Sequence, residues 1–452
     1  MSENGRLDFE QSRKLHAVAQ EVAPQGVHGA GRWYEPFPLF FTRGRGARLW
    51  DADGNSYIDL HGGLGPCVLG YNHPEILQRA VEALSDLGSH LGLPHPGEVQ
   101  LSRELTELIP CAEKVVLCGG GGSDPCYHAI RLSRAYTGRH KIIKFEGGQN
   151  GWADPLSMSI TPNAEEAGPY ETPNTIASPG TLPAVVENTC VLSVNDAAVL
   201  ERYLARYGHE IAAIIIEPIM QGMGCVPLDP GYPQLLRELC SHYGIVLIFD
   251  EIQTGFRHDL GGAQKLLGVT PDLATFGKAM ANGFVISALA GRREIMSMLQ
   301  PEGPVHFSGT FNANVLGVHV VLKVLEILRR NDNAVHKRLF ALGRMLADGI
   351  EEAIRRHGVK VRLQSFGSVW ALYFSDRPVR NYRDLLPQRS GRFAALRELY
   401  RDHLLRHGIF ANAHPGNRAF LSAMHTEEEI ARIVDATAGF LADYKAQLSQ
   451  SE

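Results

Sequence analysis

The sequence predicts an α/β protein in two lobes, the larger built on a mostly parallel sheet buried between helices. Three observations lead there. The chain has 452 residues, more than one ordinary hydrophobic core organises. From about residue 75, helical patterns alternate with short runs that are apolar throughout: Lys114 to Cys118, Lys141 to Phe145, Ala212 to Ile216, Ile245 to Asp250 and Ile286 to Ala290. Strands without polar alternation are covered on both faces, as in a parallel sheet. The two ends of the chain read differently from this middle, which marks them off from the sheet.

Near the N-terminus, Glu10 to Val22 has the pattern of an amphipathic helix, followed by the Gly-rich stretch Gly26 to Arg32. Leu39 to Gly44, Ala47 to Trp50 and Ser56 to Leu60 then read as a short antiparallel meander, with Asp51-Ala52-Asp53-Gly54-Asn55 as its second turn. Within the alternating region, Pro125 to Tyr136 and Tyr232 to Tyr243 are expected helices. The stretch Asp154 to Leu192 is rich in Pro, Asn, Thr and Gly and too long for an idle connection, so a lid or binding loop is expected. Beyond about residue 330 the chain is Arg- and Leu-rich and helical, ending in a helix from Thr426 to Gln447.

Composition excludes several functions. A net charge of −5 argues against a nucleic-acid or anionic-membrane partner, and no apolar run reaches the ~18 residues of a membrane span. Met1 to Asp8 is polar and lacks the order of a signal peptide. The seven cysteines include no C-x-x-C pair, so neither a disulfide framework nor a metal site is expected, and a cytoplasmic location is the default.

Chemistry concentrates at three places. Gly119-Gly120-Gly121-Gly122-Ser123-Asp124 follows an apolar run and opens a helix. Glycines let backbone N–H groups approach an anion, the helix N-terminus favours negative charge, and Ser123 adds a hydroxyl. Taken alone, this turn is equally compatible with a ligand-free corner. It fits neither G-x-G-x-x-G, because Asp124 or Pro125 falls at the sixth place, nor a P-loop, because Ala279 follows Gly277-Lys278. Asp250 ends the run Ile245 to Phe249, and Lys278 follows Leu273-Ala274-Thr275-Phe276-Gly277. Alone, Asp250 could cap a turn and Lys278 could be a solvated lysine. Together, behind a phosphate cup, they are what pyridoxal phosphate needs: a lysine for its aldehyde and a carboxylate that keeps its ring nitrogen protonated.

Longer motifs carry a resemblance. Leu49 to Asn55, Gly70 to Pro74, Ala129 to Arg139, Phe249 to Arg257 and Ser178-Pro179-Gly180 with Leu182-Pro183 resemble class III pyridoxal-phosphate aminotransferases of fold type I, in their glutamate-1-semialdehyde aminomutase-like branch. The resemblance implies a large cofactor-binding domain over 76–330 with a seven-stranded type of sheet. It also implies a small α+β domain from both chain ends, 1–75 and 331–452. Lys278 would be the Schiff-base lysine and proton shuttle, Asp250 the partner of the ring nitrogen, and Ile252 a cover for one ring face. Gly121, Gly122 and Ser123 would hold the phosphate, and Gln149, Glu217 and Gln253 would lie at the cofactor. Gly309 and Thr310 would reach the phosphate of a neighbouring subunit's cofactor, which implies a homodimer with shared sites. Arg32 falls where aminomutase-like enzymes bind a substrate carboxylate.

Three departures from that pattern bear on the substrate. Gln149-Asn150-Gly151 stands where the family has an aromatic residue and His-Gly, so a stacking contact is lost and Asn150 could meet a substrate group. Asn417 replaces a glutamate, with Arg418 beside it as a candidate carboxylate ligand. Leu64 replaces the tryptophan before Gly-Pro, which opens the pocket. The expected activity is aminotransfer between an amino donor and an oxo acceptor. The alternatives are an aminomutase, a racemase or epimerase on the same scaffold, and a pyridoxal-phosphate-binding protein with impaired catalysis.

Overall fold

The computed structural model describes residues 7–411 and 418–450. It divides into two units. One comprises Met1–His73, Lys337–Pro378 and Gln388–Glu452, and the other Pro74–His336 with Val379–Pro387.

In the first unit, Phe41–Arg45, Arg48–Asp51 and Ser56–Asp59 form the antiparallel meander, and Ile409–Phe410 adds in parallel beside Ser56–Asp59. A second antiparallel sheet pairs Arg362–Phe366 with Val369–Tyr373 and the latter with Arg418–Phe420. Trp370, Leu372 and Phe374 bury against Tyr400, Ile430, Ile433 and Phe440 from the helices Gly391–Arg406 and Glu427–Asp443. Thr426 starts the second of these helices with a capping box, its hydroxyl accepting from the Glu429 N–H while Glu429 accepts from the Thr426 N–H. The expected final helix is broken at Tyr444, after which Lys445–Leu448 forms a separate turn.

The second unit holds a seven-stranded sheet. In chain order its strands are β1 (Lys114–Cys118), β2 (Lys141–Phe145), β3 (Thr189–Leu192), β4 (Ile211–Ile216), β5 (Val246–Asp250), β6 (Leu273–Phe276) and β7 (Ser287–Gly291). Their order in space is β1-β7-β6-β5-β4-β2-β3, and only β7 runs antiparallel to its neighbours. Every residue of β4, β5 and β6 is buried, which explains their unbroken apolar sequence. Two strands escape the sequence pattern. β3 hides at the end of the Pro- and Asn-rich stretch, and β6 has only the four residues Leu-Ala-Thr-Phe. Among the described residues no helix is long and apolar enough to cross a membrane.

This topology positions the site. β2, β4, β5 and β6 are parallel, so the residues after their carboxyl ends emerge on one edge of the sheet. Those residues are Glu146 to Asn150, Glu217, Glu251 to Gln253 and Gly277-Lys278, with Asp250 as the last residue of β5 at the same edge. β7 starts at that same edge, since its first residue, Ser287, pairs with the last residue of β1, Cys118.

Candidate active site

Asp250 is the last residue of β5, 2% exposed, and lies in register with Thr275 of β6. Four groups engage its carboxylate. Asn150 donates its amide N–H to Oδ2 at 2.8 Å. The Ile252 backbone N–H and the Thr275 hydroxyl donate to Oδ1 at 3.1 and 3.3 Å. The buried Cys126 thiol also meets it. Burial raises the Asp250 pKa, against the pull of Asn150, the Ile252 N–H, the Lys278 charge and Thr275. A carboxylate in this condition gains from a cationic partner.

Lys278 opens a short 3-10 turn, Lys278–Ala281, directly after β6, and its backbone is left-handed with φ 44°. A non-glycine residue held there costs on the order of 1–3 kcal/mol, a cost the surrounding structure must offset. Its charge acts on both Asp250 and Cys126, so lysine and carboxylate share one electrostatic environment. Ile252 fills the space beside them. A Cβ on Gly122 would sit 2.7 Å from Ile252 Cγ1, and one on Gly277 would sit 3.3 Å from its Cδ1.

The glycine turn leads into α1 (Ser123–Thr137). Ser287 donates its hydroxyl to the carbonyls of Gly120 and Gly121, at 2.9 and 3.1 Å, which fixes those peptide planes. A Cβ at Gly119 would meet the Phe311 carbonyl at 2.3 Å, and the Gly119 N–H donates to Asn312 at 3.0 Å. Beside Gly121 the space is open. Ser123 Oγ accepts the Trp152 N–H at 3.1 Å, a contact that leaves its own proton to donate. Gly309 and Thr310, in the segment just before Phe311, are exposed and line a cleft of about 620 Å³ with His90 to His95.

Glu217 and Gln149 meet through the backbone. Glu217, 2% exposed, accepts the Gln149 N–H at 3.1 Å and the Gly222 N–H at 2.8 Å. Asn150, expected to meet a substrate group, is 2% exposed and donates one amide N–H to the Asp250 carboxylate.

Sequence reasoning missed three features here. Lys144 is fully buried on β2, and burial lowers its pKa to about 7 against the opposing pull of Glu217 and Glu146. It donates to the carbonyls of Gly148 and Met158. Arg383 forms a buried ion pair with Glu146 at 2.8 Å and donates to the carbonyls of Ala167 and Gly168 at 2.7 Å, which ties down the long loop after β2. Glu251 accepts from Ala263, Gln264 and Thr254, a structural role for the carboxylate beside Asp250.

The remaining candidates lie in the first unit. Arg32 and Leu64 line a mostly apolar cavity of about 430 Å³ with Tyr34, Phe41, His61 and Phe410. Leu64 has a left-handed backbone, φ 69°. Arg418 is 4% exposed, on a strand beside Ala371. His61 is the feature sequence reasoning overlooked: burial, then Arg418, then Arg32 lower its pKa to about 4. Two arginines therefore act on one imidazole. Asn417 lies outside the described residues.

The profile of the aminotransferase class-III family matches residues 30–433. The chain belongs to the class III aminotransferases. It is 36% identical over 434 residues to glutamate-1-semialdehyde 2,1-aminomutase 2 of Brevibacillus brevis, covering 95% of this chain and 98% of that one. An omega-transaminase from Sphaerobacter thermophilus matches with a TM-score of 0.90 at 33% identity, over 96% of this chain and 98% of the other. A transaminase solved with PLP bound matches at 0.87 and 28% identity, over 98% and 100%.

The cofactor of this class III chain is pyridoxal 5′-phosphate. Its residues fit that group on grounds of their own. Gln253, 7% exposed and three residues after Asp250, has a side-chain oxygen that is buried without a hydrogen-bond partner among the described residues. Such an orphan is costly unless a ligand satisfies it. The glycine turn offers open space beside Gly121, and Asp250 is a buried carboxylate whose raised pKa calls for a cation.

Proposed function

We propose that this enzyme is an aminotransferase that takes its amino group from a carboxylate-bearing donor and passes it to an oxo acceptor. The observation that supports this best is the buried Asp250 in electrostatic contact with Lys278, at the edge of the sheet where the glycine turn also opens. Bound pyridoxal phosphate would supply an electron-accepting ring that spreads the charge left when a Cα–H bond breaks.

The chain's own residues do the rest. Lys278 holds the cofactor covalently and, once released by the donor, carries the proton on its Nζ. Asp250 keeps the ring nitrogen protonated, and Ile252 covers one ring face. Gln253 hydrogen-bonds the ring edge, and Glu217 fixes the backbone of Gln149 beside it. The N–H groups of Gly121 and Gly122 with the Ser123 hydroxyl hold the phosphate at the start of α1, where the helix dipole favours an anion. Gly309 and Thr310 complete that phosphate site in a second copy of the chain, which makes the enzyme a homodimer. Arg32 and Arg418 recognise the donor carboxylate with charge-assisted hydrogen bonds, and neutral His61 accepts a further proton-bearing group. The scattered cysteines suit a reducing cytoplasm.

A second reading, intramolecular amino shift, is favoured by the aminomutase relatives. One experiment separates the two. An amino donor added alone to the holoenzyme converts the cofactor to its amine form and stops there if the enzyme is an aminotransferase. Continued turnover of a single substrate with no oxo acceptor supports the isomerase reading and contradicts ours.

A further inference from the structure

The turn after β2 connects to both ends of the cofactor site. The Lys144 ammonium donates to the Gly148 carbonyl at 3.2 Å, and Glu217 accepts the Gln149 N–H at 3.1 Å. Three residues after Gln149, Trp152 donates its N–H to Ser123 Oγ at 3.1 Å. Gly151 adopts φ 117°, and a Cβ there would sit 2.6 Å from that same hydroxyl. Residues 148 to 152 are thus pinned by the buried Lys144, the buried Glu217 and the first residue of α1. Between those pins Asn150 is 2% exposed, with its amide nitrogen 2.8 Å from Asp250 Oδ2.

A carboxylate only accepts hydrogen bonds, so the Asn150 end that faces it must be the NH₂ group. The groups that meet Asp250 are this amide, the Ile252 N–H after β5, the Thr275 hydroxyl on β6, the Cys126 thiol on α1 and Lys278. Asn150 lies closer to the carboxylate than the Thr275 hydroxyl does, 2.8 against 3.3 Å, and it cannot titrate.

We infer that Asn150 is a positioning residue that keeps Asp250 ionised and aimed at the cofactor ring with a donor independent of pH. This rests on the cofactor reading proposed above. The amide stabilises the carboxylate against the cost of burial, which otherwise favours the protonated acid. An ionised Asp250 is what a protonated ring nitrogen requires, so Asn150 acts on the cofactor through Asp250.

The test is the rate at which holoenzyme loses its cofactor on dilution, followed by visible absorbance and referred to wild type at each pH. In Asn150→Asp the donor is replaced by a second carboxylate. Two carboxylates at one site raise each other's affinity for a proton, so the introduced group is anionic at high pH and a hydroxyl donor at low pH. The expected result is cofactor loss at least about tenfold faster than wild type near pH 8.5, shrinking to about threefold or less near pH 5.5. Asn150→Ala loses cofactor faster throughout that range, whereas Asn150→His, which keeps an N–H donor, stays near wild type. An Asn150→Asp variant that holds cofactor like wild type, or loses it by the same factor at every pH, overturns the inference. Should that variant not fold, equal rates for the Ala and His variants overturn it as well. Borohydride treatment of the wild type separates the two levels. Without a fixed cofactor on Lys278 the functional reading itself falls; with one, indifferent Asn150 variants remove only this inference.

Discussion

Asp250 lies at the end of a central strand with four groups on its carboxylate, and its neighbours Asn150, Ile252 and Thr275 are all buried. Arg32 sits exposed on a short 3-10 turn, Ala30–Arg32, and lines a mostly apolar cavity with the left-handed Leu64. The first is a cluster of buried groups, each hydrogen-bonded to the carboxylate; the second is a cavity with an exposed arginine in its lining. The difference teaches where change is tolerated. A group near Asp250 is held from several elements at once, so replacing one strands the others. A group around Arg32 can change while the fold stands.

Replacing Asp250 by Asn should break the buried cluster outright. The isosteric amide cannot hold the ring nitrogen protonated, so the donor half-reaction should slow by about 10²–10³-fold, read as single-turnover conversion of bound cofactor. A fall of less than about tenfold would mean that Asp250 is only structural. Gly122→Ala is the next largest. Its Cβ would collide with Cγ1, Cγ2 and Cδ1 of the buried, β-branched Ile252 at 2.7–2.8 Å. Overpacking of this kind costs about 1–3 kcal/mol, so cofactor affinity should drop about 10–100-fold, measurable by absorbance during reconstitution.

Around the cavity the expected effects are smaller and of another kind. Arg32→Gln should raise KM for a carboxylate-bearing donor about tenfold with little change in kcat, the signature of lost ground-state binding. A fall in kcat at constant KM would move Arg32 into the chemistry. His61 gives the mildest prediction. Its pKa lies at about 4 in the folded chain, below the ordinary value near 6.5. The fold thus prefers the neutral ring, and that contribution is complete above about pH 6.5 and fades as the pH falls toward 4. The urea midpoint of wild type should therefore drop relative to His61→Gln over that interval and run parallel to it above about pH 7.

How much of this was legible in the sequence follows the same division by contact range. β4 and β5 announced themselves because both faces are buried, Asp250 because it ends such a strand, and Lys278 because it follows a short apolar run. β6 escaped notice as a strand because four residues are too few to show a period. The pairing of Asn150 with Asp250 spans 100 residues, and that of Arg383 with Glu146 spans 237. No local spacing encodes either, because the sheet order creates them. Asn150 could be read only as a departure from the family pattern, and its partner came from the register of the parallel strands. His61 was overlooked because a lone histidine in a glycine-rich stretch carries no pattern, and its significance depends on Arg418, far along the chain.

The central claim is that Lys278 and Asp250 form one cofactor site. Borohydride reduction of the purified holoenzyme, followed by peptide mass mapping, tests it most directly. The expected result is a single pyridoxyl-phosphate adduct on the peptide that contains Lys278, absent from Lys278→Ala. An adduct on another lysine, such as the buried Lys144, or none at all, would contradict it.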